Sequence, residues 1–64
     1  MADAPAPALP SDLTEALAAA HLVDVFQALP PSHQAEYLHW INEAKREETR
    51  RRRIEGTIAR LGSA

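Results

Sequence analysis

The chain has 64 residues, with nine acidic side chains, seven basic side chains and no cysteine. This length allows one domain at most and buries only about 60% of the unfolded surface, so the core is small. The composition excludes disulfides and thiolate metal sites, and no apolar run approaches the roughly 18 residues of a membrane span. Stabilisation must therefore come from helix packing, a partner or a parent protein.

The first ten residues contain three prolines, at positions 5, 7 and 10. Proline removes backbone donors and favours extended geometry, so residues 1–10 are predicted to form a flexible leader. The segment also lacks the basic start and apolar stretch of a secretory signal. We therefore expect a cytoplasmic protein.

The region 12–29 carries two apolar stripes at helical spacing. Ser11 is a predicted N-cap, and the first stripe predicts a helix over 12–20. A break at His21 would separate it from a second helix over 22–29. One bent helix across 12–29 is the alternative, because neither glycine nor proline interrupts the region.

Two further helices are predicted after the Pro30-Pro31 pair, which ends the preceding segment. Ser32 is the predicted N-cap of a helix over 33–44. The next helix covers 47–61 and stops at Gly62, leaving a tail at 63–64.

These patterns predict an all-α fold, a compact bundle of three to four short helices over residues 11–62 with a disordered Pro/Ala-rich N-terminal leader. No strand pattern or internal repeat is present. The predicted core consists of the apolar stripe residues Leu13, Leu17, Leu22, Phe26, Leu29, Tyr37, Ile41, Ile54, Ile58 and Leu61.

Charge divides the chain into an acidic part, net −6 over residues 1–44, and a basic part, net +4 over residues 45–64. One interpretation is a solvated helix face with ion pairs to the acidic part. The other is a basic ridge for an anionic partner, formed by Arg46, Arg50, Arg53 and Arg60. A sequence pI of about 5.8 and the lack of aromatic residues among the arginines disfavour nucleic acid.

Catalytic chemistry finds little support in the sequence. His33, Glu36 and His39 share a predicted helix, but the spacing that places two histidines on one face is absent. The serines are explained as caps or tail residues, and no glycine-rich loop is present. We expect no enzyme activity, no catalytic or metal-binding residues and no cofactor.

Trp40 is the only tryptophan, and it lies beside the predicted apolar stripe of its helix. It either covers the edge of the core or anchors a partner, since tryptophan and arginine are enriched among interface hot spots.

Residues 32–54 resemble the C-terminal helical module of the bacteriocin-protection, YdeI/OmpD-associated family of bacterial proteins. The pattern is carried by Ser32, Glu36, Tyr37, Trp40, Ile41, Ala44, Lys45, Thr49, Arg50, Arg53 and Ile54. The likeness extends over about 11–62, but a basic pair of the family pattern is Gln34-Ala35 here. The resemblance implies a helical fold, an association with envelope stress or antimicrobial-peptide tolerance, and no catalytic residues.

We therefore predict a non-catalytic interaction module that binds a protein partner or a parent domain, with a homodimer as a further possibility. The candidate partner-binding residues are Trp40, Lys45, Arg46, Arg50, Arg53 and Arg60. The alternative is a binder of nucleic acid or another anionic surface. A structural role is also open, in which Arg50 and Arg53 pair with Glu36 or Glu43.

Overall fold

A computed structural model describes residues 9–63, which form four α-helices and no strand. They are α1 (Ser11–Ala19), α2 (Val23–Gln27), α3 (Pro31–Asn42) and α4 (Glu47–Gly62). The predicted all-α class is confirmed. Residues 1–8 of the leader predicted at 1–10 lie outside the described residues, as does Ala64 of the predicted tail. The leader prediction is wrong for its last two residues, because Leu9 packs against the core and Pro10 is the N-cap residue of α1.

The break between α1 and α2 lies at His21, so the alternative of one bent helix is wrong. His21 adopts a left-handed backbone with a φ of 60°. The amide of His21 donates to the carbonyl of Ala18 at 3.1 Å, and that of Leu22 donates to Leu17 at 2.8 Å. This hydrogen-bond pair is a Schellman motif, which ends a helix by satisfying its last carbonyls.

Prolines rather than serines precede the first and third helices, so the predicted caps at Ser11 and Ser32 are wrong. Pro10 and Pro30 occupy the N-cap positions with extended backbone, at φ of −61° and −56°. Their carbonyls accept the first helical hydrogen bonds, and neither helix has a side-chain cap. The fixed φ of proline suits this position. Both helices therefore begin earlier than predicted, at residue 11 instead of 12 and at residue 31 instead of 33.

Gly62 is the last residue of α4, and it does not adopt the left-handed conformation expected of a stop after the helix. The helix continues through it to a hydrogen bond from the Ser63 amide to the Ala59 carbonyl.

The core is centred on α4, which packs against both α1 and α3, while α2 packs against α1. Six predicted core residues are buried: Leu13, Leu17, Phe26, Ile41, Ile54 and Leu61. The other four are partly buried against this cluster: Leu22, Leu29, Tyr37 and Ile58. The architecture therefore agrees with the predicted bundle.

Three buried residues are absent from the predicted core. They are Leu38, Gln34 and Thr57. Gln34, Leu38 and Ile41 form the buried face of α3, which places Tyr37 at its edge against Phe26 with ring centroids 6.1 Å apart. The predicted face of α3 was therefore rotated from the real one.

Gln34 is a polar residue that connects two helices. Its side-chain amide donates to the carbonyls of Gln27 and Leu29, at 3.1 and 2.8 Å. These carbonyls lie at the end of α2 and in the turn after it, where helical partners run out. Gln34 thus fixes the α2–α3 turn. The first of the two positions at which the family pattern has basic residues therefore has a structural role in this chain.

None of the four helices within residues 9–63 is long and apolar enough to cross a membrane.

Candidate functional site

Trp40 and Arg53 form the centre of the surface between α3 and α4. The guanidinium carbon of Arg53 lies 5.3 Å from the centroid of the Trp40 ring, within the range of a cation–π interaction. The same side chain donates from Nη1 to the Trp40 carbonyl oxygen at 2.6 Å. Trp40 is nevertheless 38% exposed. The indole is therefore held in one place while part of its surface faces solvent.

Gly56 provides the surface of α4 against which the indole lies. A Cβ atom at this position would be 3.7 Å from Cη2 of Trp40, an ordinary van der Waals distance. The absence of a longer side chain at Gly56 lets the ring lie close to the helix backbone. Gly56 follows Arg53 by three residues, so both belong to one side of α4.

An open groove of about 470 Å³ extends from Trp40 along the two helices. Its walls combine apolar, aromatic and charged side chains: Leu29, His33, Glu36, Tyr37, Trp40 and Arg60. Within residues 9–63, Arg60 forms no salt bridge. The groove thus places an aromatic surface beside a guanidinium that is available to a partner.

Arg50 is engaged inside the protein. Its Nε and Nη2 donate to the two carboxylate oxygens of Asp12 at 2.6 and 3.1 Å, and its Nη1 donates to Oδ1 of Asn42 at 2.8 Å. The hydrogen bond from Arg50 holds the pKa of Asp12 below its ordinary value, and the hydrogen bond from the Leu13 amide adds to this effect. Arg50 therefore connects α1, α3 and α4.

The predicted pairing of Arg50 and Arg53 with Glu36 or Glu43 is wrong. Arg50 pairs with Asp12, Arg53 bonds a backbone carbonyl, and Glu43 pairs with His39 at 3.0 Å. Helical periodicity describes which residues share a face of one helix, but it does not specify which acid on another helix lies opposite.

Lys45 and Arg46 lie in the connection from α3 to α4, where both are exposed. Arg46 is the N-cap residue of α4 and makes no side-chain cap hydrogen bond. The structure therefore separates the six candidate residues. Trp40 and Arg60 line the groove, and Arg53 lies against Trp40. Arg50 joins the Asp12 network, and Lys45 and Arg46 lie in the helix connection.

Asp12 and Gly56 are important residues that the sequence interpretation did not select. Asp12 lies in the first turn of α1, and an acid at that position gives no sign of a partner on α4. Gly56 lay inside a helical pattern, where an isolated glycine points to close packing. That signal was available in the sequence and would have directed attention to the Trp40 contact.

Within the part of the chain that the structure describes, no three His, Asp or Glu side chains are arranged to hold a metal ion. His33 and Glu36 line the groove, whereas His39 pairs with Glu43.

The residues that carry the family pattern hold α3 and α4 together. Ile41 and Ile54 are buried, and Arg53 bonds the carbonyl of Trp40. The family model "Bacteriocin-protection, YdeI or OmpD-Associated" matches residues 6–63. The chain belongs to this family. Comparison with curated proteins and with solved structures gives no match. Family membership thus covers the whole helical unit described above.

Proposed function

We propose that this member of the YdeI or OmpD-associated family is a non-catalytic interaction module whose α3–α4 surface binds a protein partner or a parent domain. The observation that carries the proposal is the Trp40 side chain, held half-exposed by Arg53. A partner that covers the exposed part of the ring gains free energy, because removing apolar surface from water is favourable.

Pre-organisation supports this proposal. Binding immobilises side chains at a cost of about 0.5–1.5 kcal/mol each, and a side chain already fixed in the free protein avoids much of that cost. The hydrogen bond to the Trp40 carbonyl holds the Arg53 guanidinium in place, and the cation–π contact of that guanidinium restricts the indole. Tryptophan and arginine are also the residues most often found at the energetic centre of protein interfaces.

Binding to nucleic acid or another anionic surface was the alternative. The observations that favour protein over this alternative are the engagement of Arg50 by Asp12 and the packing of Arg53 on Trp40. Both guanidinium groups are partly neutralised or covered, and Glu36 adds negative charge to the groove. The basic ridge therefore offers less free charge than the sequence suggests.

A link to bacteriocin protection rests on the family description alone. This link and the predicted one to envelope stress or antimicrobial-peptide tolerance remain proposals. The cytoplasmic location also stays a prediction, which cell fractionation would check.

Photo-crosslinking tests the interaction surface directly. A photoreactive amino acid replaces His33, which lines the groove, in a chain expressed in bacterial cells. The control places the same group at Arg52, an exposed residue of α4 that does not line the groove. We expect a discrete crosslinked product from position 33 and none from position 52, with loss of that product when Trp40→Ala is added.

Equal products from both positions, or none from position 33, would contradict the proposal. Retention of the product in the Trp40→Ala variant would remove the tryptophan from the interface. Circular dichroism of each variant shows whether the fold is retained.

A further inference from the structure

The surface around Trp40 has acidic side chains along α3 and basic side chains along α4. Glu36 and Glu43 lie on α3 and just after its end, seven residues apart, and both are exposed. Arg53 and Arg60 lie on α4, also seven residues apart. Seven residues rise about 10.5 Å along a helix and complete nearly two turns, so each pair forms a row along one side of its helix. Glu36 and Arg60 line the groove, and the rows continue beyond it to Glu43 and Arg53.

The two rows are at matching heights. The helices α3 and α4 pack together through a connection of four residues, 43–46, and therefore run antiparallel. Trp40 lies against Gly56, and Glu36 lines the same groove as Arg60. Glu36 precedes Trp40 by four residues on α3, and Arg60 follows Gly56 by four residues on α4. Glu36 is thus level with Arg60, and by the same register Glu43 is level with Arg53.

We propose that the groove is occupied by a second copy of the chain, related to the first by a two-fold axis parallel to α3 and α4. This axis places α3 of each copy over α4 of the other without changing the height of any residue. Glu36 of one copy then faces Arg60 of the other, and Glu43 faces Arg53. The inference rests on the proposed function, because it uses the same surface and names its partner.

Charge complementarity selects a second copy over an unrelated helix. An unrelated partner would need basic side chains opposite the acidic row of α3 and acidic side chains opposite the basic row of α4. In both cases these side chains would have to be seven residues apart. A second copy carries both rows already, as an isologous two-fold contact requires. Trp40 lies between the rows, so its exposed surface would be covered near the axis together with the partly buried Tyr37 and Leu29.

The neighbouring charges are compatible with this arrangement. Within residues 9–63, no salt bridge joins Glu36 to Arg60, and the carboxylate of Glu43 pairs with His39 of the same chain at 3.0 Å. Arg53 keeps its contact with Trp40 while its exposed side faces the other copy. Arg46 continues the basic row beyond the end of α3, where no acidic counterpart lies level with it. Ion pairs at an interface rim mainly determine which partner fits, whereas apolar burial contributes more of the affinity.

Sedimentation equilibrium of the full chain tests this inference, with Trp40 fluorescence as a second measurement. The wild-type protein is expected to form dimers with rising concentration, and its emission should shift to shorter wavelength on association. Glu36→Arg makes both facing positions basic, and Arg60→Glu makes both acidic. Each variant alone should dimerise at least about tenfold more weakly, because like charges then face each other.

Mixing the two variants gives the decisive result. One chain then presents only basic groups at these positions and the other only acidic groups, so the mixture should associate about as well as the wild type. Arg52→Glu is the matched control, since it reverses an exposed arginine of α4 outside the groove and should leave dimerisation unchanged. Melting curves show that all variants keep the helical fold.

A wild-type chain that stays monomeric up to about 1 mM, the weak end of measurable association, would overturn the inference. Dimerisation that neither reversal weakens would also overturn it, because the interface would then lie elsewhere. In the first case, a crosslink from position 33 to a heavier protein would retain the proposed interaction function and remove only the second copy as its partner.

Discussion

At the scale of single residues, tertiary contacts rather than local pattern determine what the polar side chains do. Arg53 donates to the carbonyl of Trp40, which lies in the last turn of α3, where carbonyls lack partners within the helix. Gln34 acts in the same way on the carbonyls of Gln27 and Leu29, at the end of α2 and in the turn after it.

Arg53→Met should destabilise the protein. Methionine replaces the aliphatic stem of the arginine with one of similar length but lacks the guanidinium. The substitution removes a charged hydrogen bond to the Trp40 carbonyl and the cation–π contact, which together predict a loss of about 1–2 kcal/mol. Urea unfolding followed by Trp40 fluorescence measures this loss. Arg52→Met is the control, because that side chain is exposed. Equal stability of the two variants would show that the Arg53 contacts contribute nothing.

His21 is the other residue whose conformation carries a prediction. Its left-handed backbone is unfavourable for a side chain with a Cβ atom, whereas glycine adopts it freely. His21→Gly should therefore raise the free energy of unfolding by about 0.5 kcal/mol, after the greater freedom of glycine in the unfolded chain is subtracted. Thermal melting measures the change.

His33→Gly provides the opposite case for the same replacement. His33 lies in the first turn of α3, where glycine should lower stability by about 0.5–1 kcal/mol. A loss of stability at both positions would contradict the argument from the left-handed backbone.

At the scale of helices, periodicity and proline predicted the four elements, and the errors lie at their ends. The start of a helix depends on the backbone that leads into it, and here proline provides the extended conformation that serine was expected to provide. The break after α1 has no glycine or proline to mark it, so only a possible break at His21 could be proposed from the sequence. Periodicity also does not decide which face of a helix packs inward. Leu38 shares the buried face of α3 with the polar Gln34, whereas the predicted stripe held Tyr37 and Ile41.

The start of α4 offers a prediction at this scale. Arg46 is its N-cap residue and has no side-chain hydrogen bond to the first turn. Arg46→Ser supplies a capping hydroxyl and removes a positive charge from the positive end of the helix dipole, so we expect a gain of about 0.5–1 kcal/mol. Chemical unfolding measures it. Arg52→Ser, inside the same helix, should instead be neutral or slightly destabilising. A stability that falls on Arg46→Ser would mean that the arginine makes a contact of greater value.

At the scale of the whole molecule, the acidic and basic parts of the chain meet through α4. The sequence predicted that they could pair but named the acids of α3, whereas the decisive acid is Asp12 on α1. Opposite charges can be counted in a sequence, but their pairing depends on how helices are arranged. The Asp12–Arg50 pair, extended by Asn42, joins the first helix to the last two across 38 residues of sequence.

This long-range pair predicts how stability depends on pH. The pKa of Asp12 is lowered in the folded protein from the ordinary value of 3.8, first by the hydrogen bond from Arg50. A group with a lowered folded pKa contributes stability above its unfolded pKa, and that contribution is lost as the pH falls through the folded pKa. Wild-type stability should therefore decrease on acidification below about pH 4.

Asp12→Asn removes the titrating group while keeping the shape of the side chain. The side chain of Asp12 is 45% exposed, so solvent screening limits the loss at neutral pH to about 1 kcal/mol or less. The difference between variant and wild type should shrink as the pH falls from 6 to 2, which urea unfolding at each pH would measure. Glu15→Gln, at an exposed acid of the same helix, is the control and should not reproduce this convergence. A constant difference across the whole pH range would show that the Asp12 carboxylate acts through its shape and not through its charge.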